Sequence, residues 1–187
     1  GVHEYIRDFC RRLAKQGYAA IAPAFFNRVE DPAPLSDMQR IMQIVGAANY
    51  EQVMGDLSAT LEWASQQSWS KDGKVGITGY CWGGKVVWQA AARFAAIGAG
   101  VAWYGRLVGE PTANAPRHPI DVAAQLQAPV LGLYGAQDTG IPLETVDKMQ
   151  KALAAGSPAA KASQFVVYPD APHAFFADYR PSYRAEA

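Results

Sequence analysis

The chain has 187 residues, half of them hydrophobic, which is enough for one sizeable core and too short for two ordinary domains, so a single domain over residues 1–187 is expected. Lysine plus arginine and aspartate plus glutamate each number 17, and no stretch gathers the basic residues into a phosphate-backbone footprint, which argues against a nucleic-acid partner. No apolar run approaches the roughly 20 residues that span a bilayer, and Gly1 leads into a charged amphipathic segment in place of an export signal, so a soluble, cytoplasmic protein without membrane partners is expected.

From Glu4 to Lys15 the apolar residues Tyr5, Ile6, Phe9, Cys10 and Leu13 recur every three or four positions opposite Arg7, Asp8, Arg11, Arg12 and Lys15, the pattern of a helix stopped by Gly17. That places Cys10 in the core. Residues 19–26, short, apolar and closed by Asn27, read as a buried strand with Pro23 near its end. Asp31 to Asp37 reads as a surface loop. A second helix opens near Asn49 and runs to about Gln67, with Val53, Leu57, Leu61, Trp63 and Ala64 as its inner face, and a loop follows at Lys71-Asp72-Gly73.

Strand and helix then alternate: strands at 75–80, 99–104, 129–134 and 164–168, and helices at 85–96 and about 142–154, with Pro142 at a first-turn position. Such alternation predicts an α/β fold with a mostly parallel sheet and helices on both faces. In open sheets of this kind ligands bind beyond the carboxyl ends of the strands. The chain opens on a helix with no strand ahead of it and stops as residues 181–187 begin to look helical, so N-terminal strands and a C-terminal helix of the domain are expected to be missing.

The residues that follow the strands carry the chemistry. Gly79-Tyr80-Cys81-Trp82-Gly83-Gly84 stands between the strand at 75–80 and a helix, with small residues two places either side of Cys81. This is a nucleophile elbow in cysteine form, where a tight turn holds the thiol above the sheet and the backbone N–H of Trp82 points where an oxyanion forms. Asp138 follows the strand at 129–134, and His173 follows the strand at 164–168 in a Pro-bounded loop. Taken singly, Cys81 reads as a buried core cysteine, Asp138 as a turn former and His173 as a solvated loop residue. Together they give the chain order nucleophile, acid, histidine, each after a strand, which is the α/β-hydrolase order.

His118 and His3 read as surface or supporting residues. Cys10 and Cys81 lie in contexts too different for a structural disulfide and lack ligand-spaced partners for zinc, so no metal and no cofactor are expected.

The sequence resembles the dienelactone hydrolases, also called carboxymethylenebutenolidases. The resemblance is carried by Gly1-Val2-His3-Glu4, Arg7-Asp8, Arg11-Arg12-Leu13-Ala14 and Gly17-Tyr18 through Pro23, then by the Cys81 elbow, Ala102-Trp103-Tyr104-Gly105, Gly132 through Asp138, and His173-Ala174-Phe175. It implies a cofactor-free hydrolase of the α/β-hydrolase fold with Cys81, Asp138 and His173 as catalytic residues and a small lactone or ester bearing a carboxylate as substrate. It also implies a glutamate and a second oxyanion N–H ahead of Gly1, and two arginines for the substrate carboxylate. Arg28 matches the first of these; the second position is Ala177 here, with Arg180 nearby.

Trp82 is expected in the oxyanion hole, Arg28 on the substrate carboxylate, and Trp103 and Tyr104 as walls of the pocket. The protein is expected to act as a monomer or homodimer. Three other readings share these residues: a general carboxylesterase or thioesterase, a non-catalytic hydrolase-fold binding protein, and a redox sensor, which needs a resolving thiol and finds only Cys10.

Overall fold

The computed structural model describes residues 1–71 and 73–187, so Asp72 of the loop read at Lys71-Asp72-Gly73 lies outside the described residues. The chain forms two compact units, one of residues 1–71 with Thr112–Pro116, the other of Gly73–Pro111 with Arg117–Ala187.

The first unit is helical. Helix α1 (Glu4–Lys15) has the bounds its periodicity predicts, and Gly17 ends it at φ +86°, while the Gly17 and Tyr18 N–H groups donate to the Ala14 and Leu13 carbonyls. None of its residues is fully buried, so Cys10 is half-buried in place of the core position expected. Helix α2 (Met38–Gly46) was not foreseen; Asp37 caps it by accepting from the N–H groups of Gln39 and Arg40. Helix α3 (Tyr50–Ser65) is capped by Asn49 and buries Tyr50, Val53, Met54, Leu57 and Ala64. Trp63, expected on that inner face, is half exposed. The strand expected at residues 19–26 does not form: the first unit contains no strand among the described residues, and an extended run cannot make a ladder without a neighbour.

The second unit holds the sheet, strands β1 (Val75–Tyr80), β2 (Ile97–Trp103), β3 (Val130–Gly135) and β4 (Gln164–Tyr168), parallel and neighbours in sequence order. Helix α4 (Trp82–Arg93) links β1 to β2. Helix α5 (Pro119–Val122) and a short 3₁₀ turn (Ala123–Gln125) link β2 to β3, and helices α6 (Leu143–Ala154) and α7 (Pro158–Lys161) link β3 to β4. The linking helices touch one another in series, α4 on α5, α5 on α6 and α6 on α7.

Several bounds differ from expectation. Helix α4 starts at Trp82, directly after the elbow, and Pro142 is the N-cap of α6, not a first-turn residue. Residues 181–187 form turns and no helix, because the Arg184 N–H donates back to the Phe175 carbonyl (2.9 Å) and folds the segment on itself.

The core of this unit is built around Trp88, which is fully buried and donates from Nε1 to the Tyr134 hydroxyl (3.1 Å); Tyr134 in turn donates to the Gly105 carbonyl (2.9 Å). Burial pushes the Tyr134 phenol far up, so it stays a neutral donor. This chain ties α4 to β3 and to the turn after β2, fixing the level at which the strand ends meet.

Candidate active site

Three strand ends contribute one chemically active side chain each. At the first, β1 turns into α4 through Cys81, whose backbone lies at φ 52°, ψ −114°, a conformation a non-glycine residue adopts only under constraint. The Cys81 N–H donates to the Trp103 carbonyl (3.0 Å) and its own carbonyl accepts from the Lys85 N–H (3.3 Å). The turn is tight enough that a Cβ on Gly79 would lie 2.5 Å from the Gly83 carbonyl oxygen, which is why glycine stands two places before the cysteine, whereas a Cβ on Gly83 would meet open space. Cys81 is solvent-exposed as a residue, while enough protein surrounds its sulfur to strip part of the thiol's hydration.

At the second, Asp138 is buried just beyond β3. Its Oδ1 accepts from the Gly140 N–H (2.9 Å), which leaves Oδ2 for the third group. The loop after β4 passes so close to the end of β3 that a Cβ on Gly135 would meet the Ala171 carbonyl oxygen at 2.1 Å. The Gln137 N–H donates to that carbonyl (3.0 Å), fastening the loop. His173 is thereby delivered to Asp138, with Nδ1 and Oδ2 2.6 Å apart, and its imidazole lies near enough to the Cys81 thiol for each to shift the other's pKa. The structure brings Cys81, Asp138 and His173 together at the carboxyl ends of β1, β3 and β4.

The hydrogen bond to Asp138, then that to Cys81, raises the His173 pKa to about 9 against the opposing effect of burial. Loss of hydration pushes the Cys81 thiol up and is the largest single influence on it. The hydrogen bond and charge of His173, the Trp82 N–H and the charge of Arg180 together outweigh it, so the thiol sits below its ordinary range. The two shifts share one cause, the nearness of sulfur and imidazole, which favours the charged form of each.

The remaining expected residues are placed as follows. The Trp82 backbone N–H, first in α4, is directed at the Cys81 sulfur. Trp103 is half-buried and its ring lies 4.1 Å from that of Phe176, which stacks on Tyr80 at 5.8 Å and 8°. Phe176 and Tyr80 were not foreseen here; only their nearness to His173 and Cys81 in the chain hinted at it. Tyr104 is fully buried, with its ring against that of His173 (centroids 5.2 Å, 64°). Ala177 is buried, whereas Arg180 is exposed and its charge is felt at Cys81.

Arg28 belongs to the first unit, at a cavity of about 560 Å³ lined by Ile21, Pro23, Phe25, Asp56 and Trp63 among others. Both its terminal nitrogens donate to Asp56, at 2.6 Å each. His118 is buried, not on the surface, and its Nε2 meets the Glu110 carbonyl at 3.1 Å. Among the described residues no group of three His, Cys, Asp or Glu side chains is placed to hold a metal ion, and no helix is long and apolar enough to cross a membrane.

Against known proteins, the family model described as the dienelactone hydrolase family matches residues 1–187. The chain belongs to that family. It is 53% identical over 187 residues to a Methylorubrum extorquens protein provisionally named a carboxymethylenebutenolidase, covering all of this chain and 63% of that protein. A Bradyrhizobium relative provisionally named a 2-oxo-3-(5-oxofuran-2-ylidene)propanoate lactonase is 30% identical over 185 residues, covering 98% of this chain and 73% of the relative. A crystal structure of a Klebsiella pneumoniae protein provisionally named a dienelactone hydrolase superposes with a TM-score of 0.92 at 48% identity, over all of this chain and 76% of that one. The chain thus spans about two thirds to three quarters of the length of these family members. A dienelactone hydrolase-like promiscuous phosphotriesterase from metagenomic libraries shares the fold, with a TM-score of 0.73 at 23% identity over all of this chain and 75% of that one.

Proposed function

We propose that the protein hydrolyses a lactone or activated ester through a thioester acyl-enzyme, with Cys81 as nucleophile, His173 as acid and base, and Asp138 as the anchor of the imidazole. The observation that carries this reading is the 2.6 Å hydrogen bond between His173 and Asp138, with the Cys81 thiol beside the same imidazole. The thiolate attacks the carbonyl carbon, and the Trp82 N–H donates a hydrogen bond to the carbonyl oxygen as charge gathers on it. The C–O bond to the leaving group breaks, and the His173 imidazolium gives its proton to the departing oxygen. Water then attacks the thioester; neutral His173 takes its proton and returns it to sulfur as the acid leaves. A thiolate suits activated esters and enol lactones, whose leaving oxygens need little help. The Bradyrhizobium relative's name points to the same class, a lactone with an adjoining carboxylate.

The reaction needs sulfur deprotonated and imidazole protonated, which sets its pH dependence. kcat/KM is expected to rise as the pH climbs through the depressed thiol pKa and to fall as it passes about 9, where the imidazolium loses its proton. Hydrolysis of p-nitrophenyl acetate and of an enol lactone across the pH range checks this. A rise still under way at the ordinary cysteine pKa, with no fall beyond it, contradicts the ion pair.

A general carboxylesterase is favoured by one observation: Arg28, the proposed carboxylate ligand, already spends both terminal nitrogens on Asp56. If Arg28 turns to substrate, Arg28→Ala raises KM for a carboxylate-bearing ester at least about tenfold while leaving a neutral ester unchanged, as loss of a charge-assisted pair requires. Equal KM values for both esters, before and after the substitution, favour the general esterase.

A further inference from the structure

One hydrogen bond of 2.6 Å holds the His173 imidazole, from Nδ1 to Asp138 Oδ2, with the Cys81 thiol close by. A single anchor leaves the ring able to swing about its Cβ–Cγ bond, a motion that carries the far nitrogen toward or away from the Cys81 sulfur. A wall against the ring is what removes that freedom. Tyr104 stands in that place, its ring 5.2 Å from the imidazole centroid at 64°, an edge-to-face approach.

Tyr104 is itself held firmly. It is 2% exposed, its N–H donates to the Leu133 carbonyl (2.8 Å), and its ring packs edge-to-face on Phe175 (5.2 Å, 68°) and near Tyr80 (6.3 Å). Phe175 lies two residues beyond His173 and packs in turn on Tyr168, where the His173 loop begins. Tyr104 also has φ 37°, in the left-handed region, where a bulky residue is strained and persists only when its surroundings over-determine it. A turn alone is better made there by glycine or asparagine. The ring, and what it touches, accounts for a tyrosine at this position.

We propose that Tyr104 is a positioning residue that fixes the plane of the His173 imidazole, so that one nitrogen stays on Asp138 while the other faces the Cys81 sulfur. It acts through His173 and not on substrate. The inference rests on the triad reading above.

Tyr104→Asn tests it, because asparagine tolerates the left-handed backbone and removes the ring; Tyr104→Phe keeps the ring and removes the hydroxyl. In Tyr104→Asn kcat falls about 10- to 100-fold, the loss a misplaced catalytic group brings, with KM little changed. The acid limb of Cys81 alkylation by iodoacetamide moves to higher pH, since the thiolate loses its aligned imidazolium. Tyr104→Phe keeps both kcat and that limb. The proposal is overturned if Tyr104→Asn lowers thermal stability but leaves kcat and the limb in place, which marks a packing residue only. It is equally overturned if Tyr104→Phe loses as much as Tyr104→Asn, because the hydroxyl then acts. Cys81→Ala, run beside them, separates the cases: an active Cys81→Ala protein removes the triad reading itself, whereas an inactive one with a normal Tyr104→Asn removes only the role of Tyr104.

Discussion

Cys81→Ala is expected to lower kcat by on the order of 10³-fold or more, since it removes the sulfur proposed to form the acyl-enzyme. The residual rate then comes from binding and from the Trp82 N–H, and one oxyanion donor is worth about 2.7 to 4 kcal/mol of barrier. Folding should survive the change, because the side chain is exposed and alanine accepts φ 52° no worse than cysteine does. Circular dichroism and a melting curve beside the assay separate lost chemistry from lost structure. A Cys81→Ala protein with unchanged turnover on both p-nitrophenyl acetate and an enol lactone contradicts the mechanism. Cys81→Ser should also be slow: a hydroxyl is far less acidic than a thiol, so His173 cannot hold it ionised at rest.

Asp138→Asn is expected to lower kcat by about 10²- to 10⁴-fold while KM changes little. The buried carboxylate does two things at once. Its Oδ2 fixes His173 through Nδ1, and its charge favours the imidazolium, while Oδ1 only braces the turn at Gly140. An amide keeps the shape and loses the charge, and it can present its N–H₂ to the ring, which forces the wrong tautomer. The His173 pKa should therefore fall from about 9, and the alkaline limb of the rate profile should move down with it. The sign follows from the cause: the partner that raises the pKa has been neutralised. An alkaline limb that stays in place in Asp138→Asn means that Asp138 does not set the imidazole's charge.

What the sequence revealed and what it hid divide along sequence distance. The elbow was legible because its constraint is local: Gly79 is required two residues before Cys81, and the strand before and helix after it have their own periodicities. Asp138 and His173 were legible through their places after strands, although no pattern along the chain states that they stand 2.6 Å apart. The capped helix at Met38–Gly46 escaped notice despite Asp37, since a nine-residue helix shows barely two periods. Residues 19–26 have the composition of a strand, but a strand exists only by pairing, and pairing is a property of the neighbour as much as of the segment. The Arg28 to Asp56 pair and the approach of Tyr104 to His173 join residues 28 and 69 apart, where spacing carries no information.

The central claim is a covalent bond between substrate and one sulfur atom, and it can be weighed directly. Protein mixed with p-nitrophenyl acetate, quenched in acid within the first turnover and examined by intact-mass spectrometry should gain one acetyl group, which peptide mapping finds on the fragment bearing Cys81. Turnover with no added mass, or an acetyl group on another residue in a protein whose Cys81 is still free to react with iodoacetamide, contradicts it.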